Sequence, residues 1–180
     1  MLILRVALAA AVIAAAFHAI RERCYFPFQC NRVKKRAEAA TSWAMDHSGS
    51  IQAALMARRV NAELIPCIEH CPAAVNTYMI AAANYAVLHR IPEAIVMYER
   101  ALRYDRRPEI YFELGMAYLE VGQRDRAISA LLVWRLFYAR DTGVIFDPSV
   151  RAEVDALTRR FIGDGAHVAL PSLLRDQSNL

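Results

Sequence analysis

The chain has 180 residues, 57% of them apolar, and a net charge of +4. That is enough apolar material for one core. Its basic residues stand beside acids, as in Glu99-Arg100 and Arg124-Asp125-Arg126, which reads as a solvated helix face rather than a nucleic-acid footprint. No RNA-binding aromatic motif, Gly-rich phosphate loop or helix-turn-helix signature is present. Lys34 and Lys35 are the only lysines, and this preference for Arg, with many alanines, suits a GC-rich bacterial genome.

Residues 2–20 are almost wholly apolar, broken by Arg5, and come close to the length of a bilayer-crossing helix. Arg5 lies near one end, where it can snorkel to the headgroups. We expect an uncleaved anchor over residues 1–21. The competing reading is a cleaved signal, with Ala14-Ala15-Ala16 as its small-residue site. A junction, 22–30, follows, in which Cys24 and Cys30 flank a turn-forming Tyr25-Phe26-Pro27-Phe28-Gln29. Arg21, Arg23, Arg32, Lys34, Lys35 and Arg36 come after the apolar run, so positive-inside counting keeps the rest of the chain in the cytoplasm. The cysteines argue otherwise. Cys24 with Cys30, and Cys67 with Cys71, form two close pairs that suit an oxidising compartment. The expectation is a single pass of a bacterial inner membrane with the helical domain in the periplasm.

Residues 31–162 read as helices with short breaks. Val33, Ala37, Ala40 and Ala44 set a helical period over 31–46. His47-Ser48-Gly49-Ser50 is a turn whose Ser50 caps the next helix, Gln52 to about Ile65, which Pro66 should end or kink. Further helices are expected over 73–88, 92–104, 108–121, 124–139 and 148–161. Pro72, Pro92, Pro108 and Pro148 sit just inside helix starts, the place proline tolerates best. The last helix, with Val150, Val154, Leu157 and Phe161 apolar, would cap the array. The tail, 163–180, has too little periodicity to assign and is expected to be disordered at least in part.

A repeat runs through the middle of this region. Tyr85, Ala94 and Tyr98 return as Tyr118, Ala127 and Leu131, each 33 residues on. Such a period marks stacked helix pairs that bury their apolar faces against neighbours. Over about 73–139 the chain resembles the tetratricopeptide repeat. One copy matches at Tyr78, Tyr85, Ala94, Tyr98 and Ala101, with Ala81-Ala82 where the family has Leu-Gly. The other matches at Tyr111, Leu114, Gly115, Tyr118, Gly122 and Ala127, then departs at Leu131 and Trp134. The resemblance implies an all-α helix-turn-helix solenoid: two clear repeats, a degenerate pair upstream and a capping helix. It also implies a groove lined by the first helix of each pair. By position, that places Asn76, Met79, Ala83, Val87, Glu109, Phe112, Met116 and Glu120 towards a protein partner. The family's Lys and Asn carboxylate clamp is absent, so an apolar or weakly basic helix would fit. The alternative is that this face packs against the protein's own N-terminal helices.

Chemistry has few footholds. Cys67, His70 and Cys71 could form a thiolate–imidazole set, but three local ligands at this spacing match no zinc or haem motif. We expect no metal, no cofactor and no catalytic set. The favoured reading is a membrane-anchored adaptor or scaffold in a bacterial envelope assembly, such as secretion, pilus or polysaccharide export. The alternatives are a structural subunit of a larger membrane complex, and a small redox or metal-handling protein using Cys67, His70 and Cys71.

Overall fold

The structure is a computed structural model that describes residues 11–19, 26–70, 74–137, 144–145 and 147–163, with only the backbone of 26–28 and 161–163. Its architecture is all-α, and no strand occurs among the described residues. Helix α1 is described over 11–19. It is followed by α2 (Phe26–Asp46), α3 (Ile51–His70), α4 (Val75–Val87), α5 (Ile91–Leu102), α6 (Pro108–Glu120), α7 (Arg124–Phe137) and α8 (Pro148–Gly163). The chain divides into two compact units, Met1–Leu88 and His89–Leu180.

In the first unit, α2, α3 and α4 pack each on the other two. Alanines make this close packing available. Ala44, Ala53 and Ala57 are fully buried and share a cluster with Val87. A second cluster joins Ala37, Val60, Leu64 and Ile80. Two buried asparagines bond across helices. The Asn84 amide donates to Thr41 Oγ1 at 2.9 Å, joining α4 to α2, and Asn61 Nδ2 donates to the Ala81 carbonyl at 3.2 Å. Ser50 caps α3 as expected, its Oγ accepting from the Ala53 N–H at 3.1 Å.

Two expected boundaries move. The junction read as a turn is helical from Phe26, because Pro27 falls in the first turn, where a missing N–H costs no hydrogen bond. Helix α3 does not stop at Pro66 but runs through it to His70. Packing of Leu64, Cys67 and Ile68 into the core on either side of the proline outweighs the one hydrogen bond it removes.

In the second unit, α5 packs on α6, α6 on α7 and α7 on α8. Proline opens α5, α6 and α8, as its position in the sequence indicates. Asp147 caps α8, its Oδ1 accepting from the N–H groups of Ser149 at 2.8 Å and Val150 at 3.1 Å. Gly122 ends α6 at φ +75°. Its N–H reaches the Leu119 carbonyl and the Gln123 N–H the Tyr118 carbonyl, at 3.0 and 2.8 Å, which together make a Schellman motif. The residue 33 positions earlier, His89, also has positive φ, +54°, just beyond α4. The elements keep the same interval: α4 and α6 start and end 33 residues apart, and α5 and α7 start 33 apart.

Candidate functional site

The residues that define the sequence repeat are mostly interior. Tyr78, Ala94, Tyr98 and Ala101 are buried, and Tyr85 is half-buried. Tyr111, Leu114, Gly115, Tyr118 and Ala127 are buried, while Gly122 is exposed at its turn. Gly115 marks a close approach of α6 and α7. A Cβ placed there would stand 2.6 Å from Leu131 Cγ and 2.9 Å from its Cδ2. Only glycine leaves room for a fully buried leucine at that distance.

Around Tyr118 the second unit carries a polar knot. The Tyr118 hydroxyl donates to Glu99 Oε1 at 2.6 Å, and Arg126 Nη2 donates to the same oxygen at 2.8 Å. The Arg126 guanidinium also lies over the Tyr118 ring, 4.3 Å from its centroid. One carboxylate therefore ties α5 to both α6 and α7. Burial first, and then the bond to Glu99, pushes the Tyr118 hydroxyl well above the ordinary phenol range. Burial, then the charge of Glu113, does the same to Tyr98. Both phenols are protonated at neutral pH, and the Tyr118 hydroxyl serves as a hydrogen-bond donor. Glu99 and Arg126 escape a reading of the sequence, because each sits in a charged pair that looks like solvated surface.

The eight residues expected to line a groove fall into two quartets, one in each unit. On α4, Asn76 is exposed, Met79 and Ala83 are half-buried, and Val87 is buried in the alanine cluster of the first unit. On α6, Glu109 and Glu120 are exposed at either end. Phe112 and Met116 between them pack against Ile128, Leu131, Ile145, Val150 and Val154. The Phe112 ring meets Trp134 at a centroid distance of 4.9 Å. Three of the expected groove residues, Val87, Phe112 and Met116, thus lie against the chain's own core clusters.

The cysteine pairings lie partly out of view. Cys67 is buried in α3 with a free thiol, while Cys24 and Cys71, which either local pairing requires, lie outside the described residues. His70 is exposed, its Nδ1 2.7 Å from the Pro66 carbonyl oxygen. Among the described residues, no three metal-ligating side chains come together. Nor is any described helix long and apolar enough to cross a membrane. Of the apolar run 2–20, only 11–19 is described; it is helical and every residue in it is exposed. The tail beyond Gly163 is likewise outside the described residues.

No protein-family model matches this sequence, and no curated protein matches it closely enough to be counted a relative.

Proposed function

We propose that this protein is a membrane-anchored, tetratricopeptide-like adaptor that binds a protein partner in a bacterial envelope assembly. The observation that carries the reading is the shared interval of sequence and backbone. Tyr, Ala and the turn residue return after 33 positions, and so do helix starts and the positive-φ turns at His89 and Gly122. A helix pair that crosses closely at a glycine, as α6 and α7 do at Gly115, is suited to presenting a rigid surface. Residues 2–20 would tether that surface to the inner membrane and raise its local concentration there. The spacing of the four cysteines in the sequence supports a periplasmic placement of the helices, whereas the free thiol of Cys67 does not.

The binding surface would use the exposed part of a first helix within one unit: Glu109 and Glu120 on α6 of the second unit, or, taken separately, Asn76, Met79 and Ala83 on α4 of the first. A second reading, a subunit that packs laterally in a larger membrane complex without a groove, is favoured by the inward packing of Phe112 and Met116. One experiment separates them. The C-terminally tagged full chain is purified from detergent-solubilised native membranes, and its co-purifying proteins are identified by mass spectrometry. A stoichiometric partner lost in Glu109→Arg/Glu120→Arg supports the adaptor with a groove on α6. A partner retained in that variant, and in Asn76→Arg, supports lateral packing. A solitary protein that leaves the membrane without detergent overturns both.

A further inference from the structure

The first unit contains a groove of about 140 Å³ between α2 and α3. Its floor is apolar, formed by Val33, Ala40, Met56 and Val60. Its rim is charged: Arg36 on α2, and Arg59 and Glu63 on α3. The volume is roughly that of five water molecules in the liquid, far below the ~300 Å³ at which small-molecule pockets begin. It suits a short length of hydrocarbon and not a whole metabolite.

The rim is under-compensated. Arg36 and Arg59 share the single carboxylate of Glu63, at 3.5 and 3.6 Å, longer than strong charge-assisted hydrogen bonds. Their side chains are 70% and 80% exposed, so both guanidiniums can turn to another anion. The same two helices carry further exposed basic residues, Arg32 and Lys35 on α2 and Arg58 on α3. A surplus spread over two helices matches an extended anionic surface better than it matches one peptide carboxylate.

We propose that this groove binds an anionic phospholipid, its phosphate held by Arg36 and Arg59 and its first acyl carbons lying on the apolar floor. Guanidiniums suit a phosphate because they offer paired, planar donors. The inference rests on the membrane attachment proposed above, and the position of α2 is consistent with it. That helix follows α1, whose Val12, Ile13 and Phe17 are exposed apolar residues. The basic strip begins at Arg32, about a dozen residues beyond the segment expected in the bilayer.

Trp43 supplies the probe. It is partly exposed and lies about two turns along α2 from Arg36 on the same face. The full chain in dodecylmaltoside micelles is doped with phosphatidylglycerol or phosphatidylcholine carrying brominated acyl chains, at equal mole fraction. Trp43 emission is isolated by subtracting that of the Trp43→Phe chain. Each basic residue beside an anionic surface contributes a factor of about five, so two arginines give a preference for phosphatidylglycerol of at least about tenfold. In Arg36→Gln/Arg59→Gln, whose exposed side chains can be replaced without opening the core, the preference should fall at least about tenfold, leaving only what Arg32, Lys35 and Arg58 contribute. Equal quenching in the parent chain overturns the proposal. So does a preference that is undiminished in the double variant, or an acidic peptide that shifts Trp43 emission where phosphatidylglycerol does not. The anchor is tested apart, by flotation of the full chain with vesicles of phosphatidylcholine alone. Flotation without lipid preference leaves the anchor standing and removes the lipid site; preference without flotation does the reverse.

Discussion

Replacing Gly115 with alanine should destabilise the second unit, against the ordinary rule for a glycine inside a helix. In an open helix the change stabilises by about 0.5–1 kcal/mol, because alanine loses less backbone freedom on folding. Here the added methyl would sit 2.6 Å from Leu131 Cγ and 3.4 Å from the Ala127 carbonyl oxygen. Leu131 is fully buried among Ile128, Ile145, Val150 and Val154, so it cannot swing aside without displacing the cluster. Overpacking of this kind costs about 1–3 kcal/mol, which leaves a net loss of up to about 2.5 after the propensity gain, and about 1.3 at the middle of both ranges. At roughly 4–8 °C per kcal/mol for a unit of this size, that middle value lowers the midpoint by roughly 5–10 °C. Thermal denaturation by circular dichroism, with a urea titration alongside, measures it. The companion is Leu131→Ala, which alone should cost about 2–5 kcal/mol through the cavity it opens. If the clash is the cause, that cavity receives the new methyl, and the double variant should be less destabilised than the sum of the singles by more than ~0.5 kcal/mol. A Gly115→Ala chain with a higher midpoint, or strictly additive costs, would refute the close crossing.

Other changes probe other parts of the chain. His89→Gly should stabilise by about 1 kcal/mol, because a histidine at φ +54° occupies a backbone region that only glycine enters without a steric cost. The urea midpoint should rise at an unchanged slope, and a fall would show that the His89 side chain contributes more than its backbone costs. Phe112→Glu should lower stability by about 2–4 kcal/mol, since it places a carboxylate against the Ile128–Val154 cluster and removes the ring beside Trp134. The near-ultraviolet signal of Trp134 should change with it, and an unaltered melting curve would place Phe112 on a free surface. Asp147 is held below the usual carboxylate range first by the Ser149 hydroxyl and then by the backbone N–H groups of Val150 and Ser149. Its contribution is complete above the unfolded value near 3.8 and fades as pH falls through the lower folded value. Asp147→Asn should flatten this acid limb in pH-dependent denaturation; an unchanged limb would mean that other carboxylates govern it.

The helices were legible because their apolar residues recur at three and four positions and because proline and glycine punctuate them. Pro92, Pro108 and Pro148 mark real starts, and Gly122 marks a real end. The failures have a common source, since local sequence does not specify tertiary context. Pro27 reads as a turn former until its place in the first turn of a helix is known, and Pro66 reads as a stop until the core residues around it are known. The inward packing of Phe112 and Met116 was equally hidden, because helical period gives a residue's face but not the helix that will cover it. Glu99, Tyr118 and Arg126 meet across separations of 19 and 27 residues, where no short motif joins them.

The bond between Asn84 and Thr41 limits how this sequence can drift. A core of alanines and leucines would let α4 slide along α2 by a turn with little change in apolar contact. Asn84 is fully buried and Thr41 nearly so, and a slide would leave both without a partner, at about 1–3 kcal/mol for each group. The pair therefore fixes the register of α4, and it ties two distant positions into one heritable choice. A descendant that loses the amide alone inherits an unsatisfied hydroxyl, whereas one that exchanges both for apolar residues keeps the core intact. Positions 41 and 84 are accordingly expected to change together among natural variants of this protein, and the apolar versions to have looser helix registration.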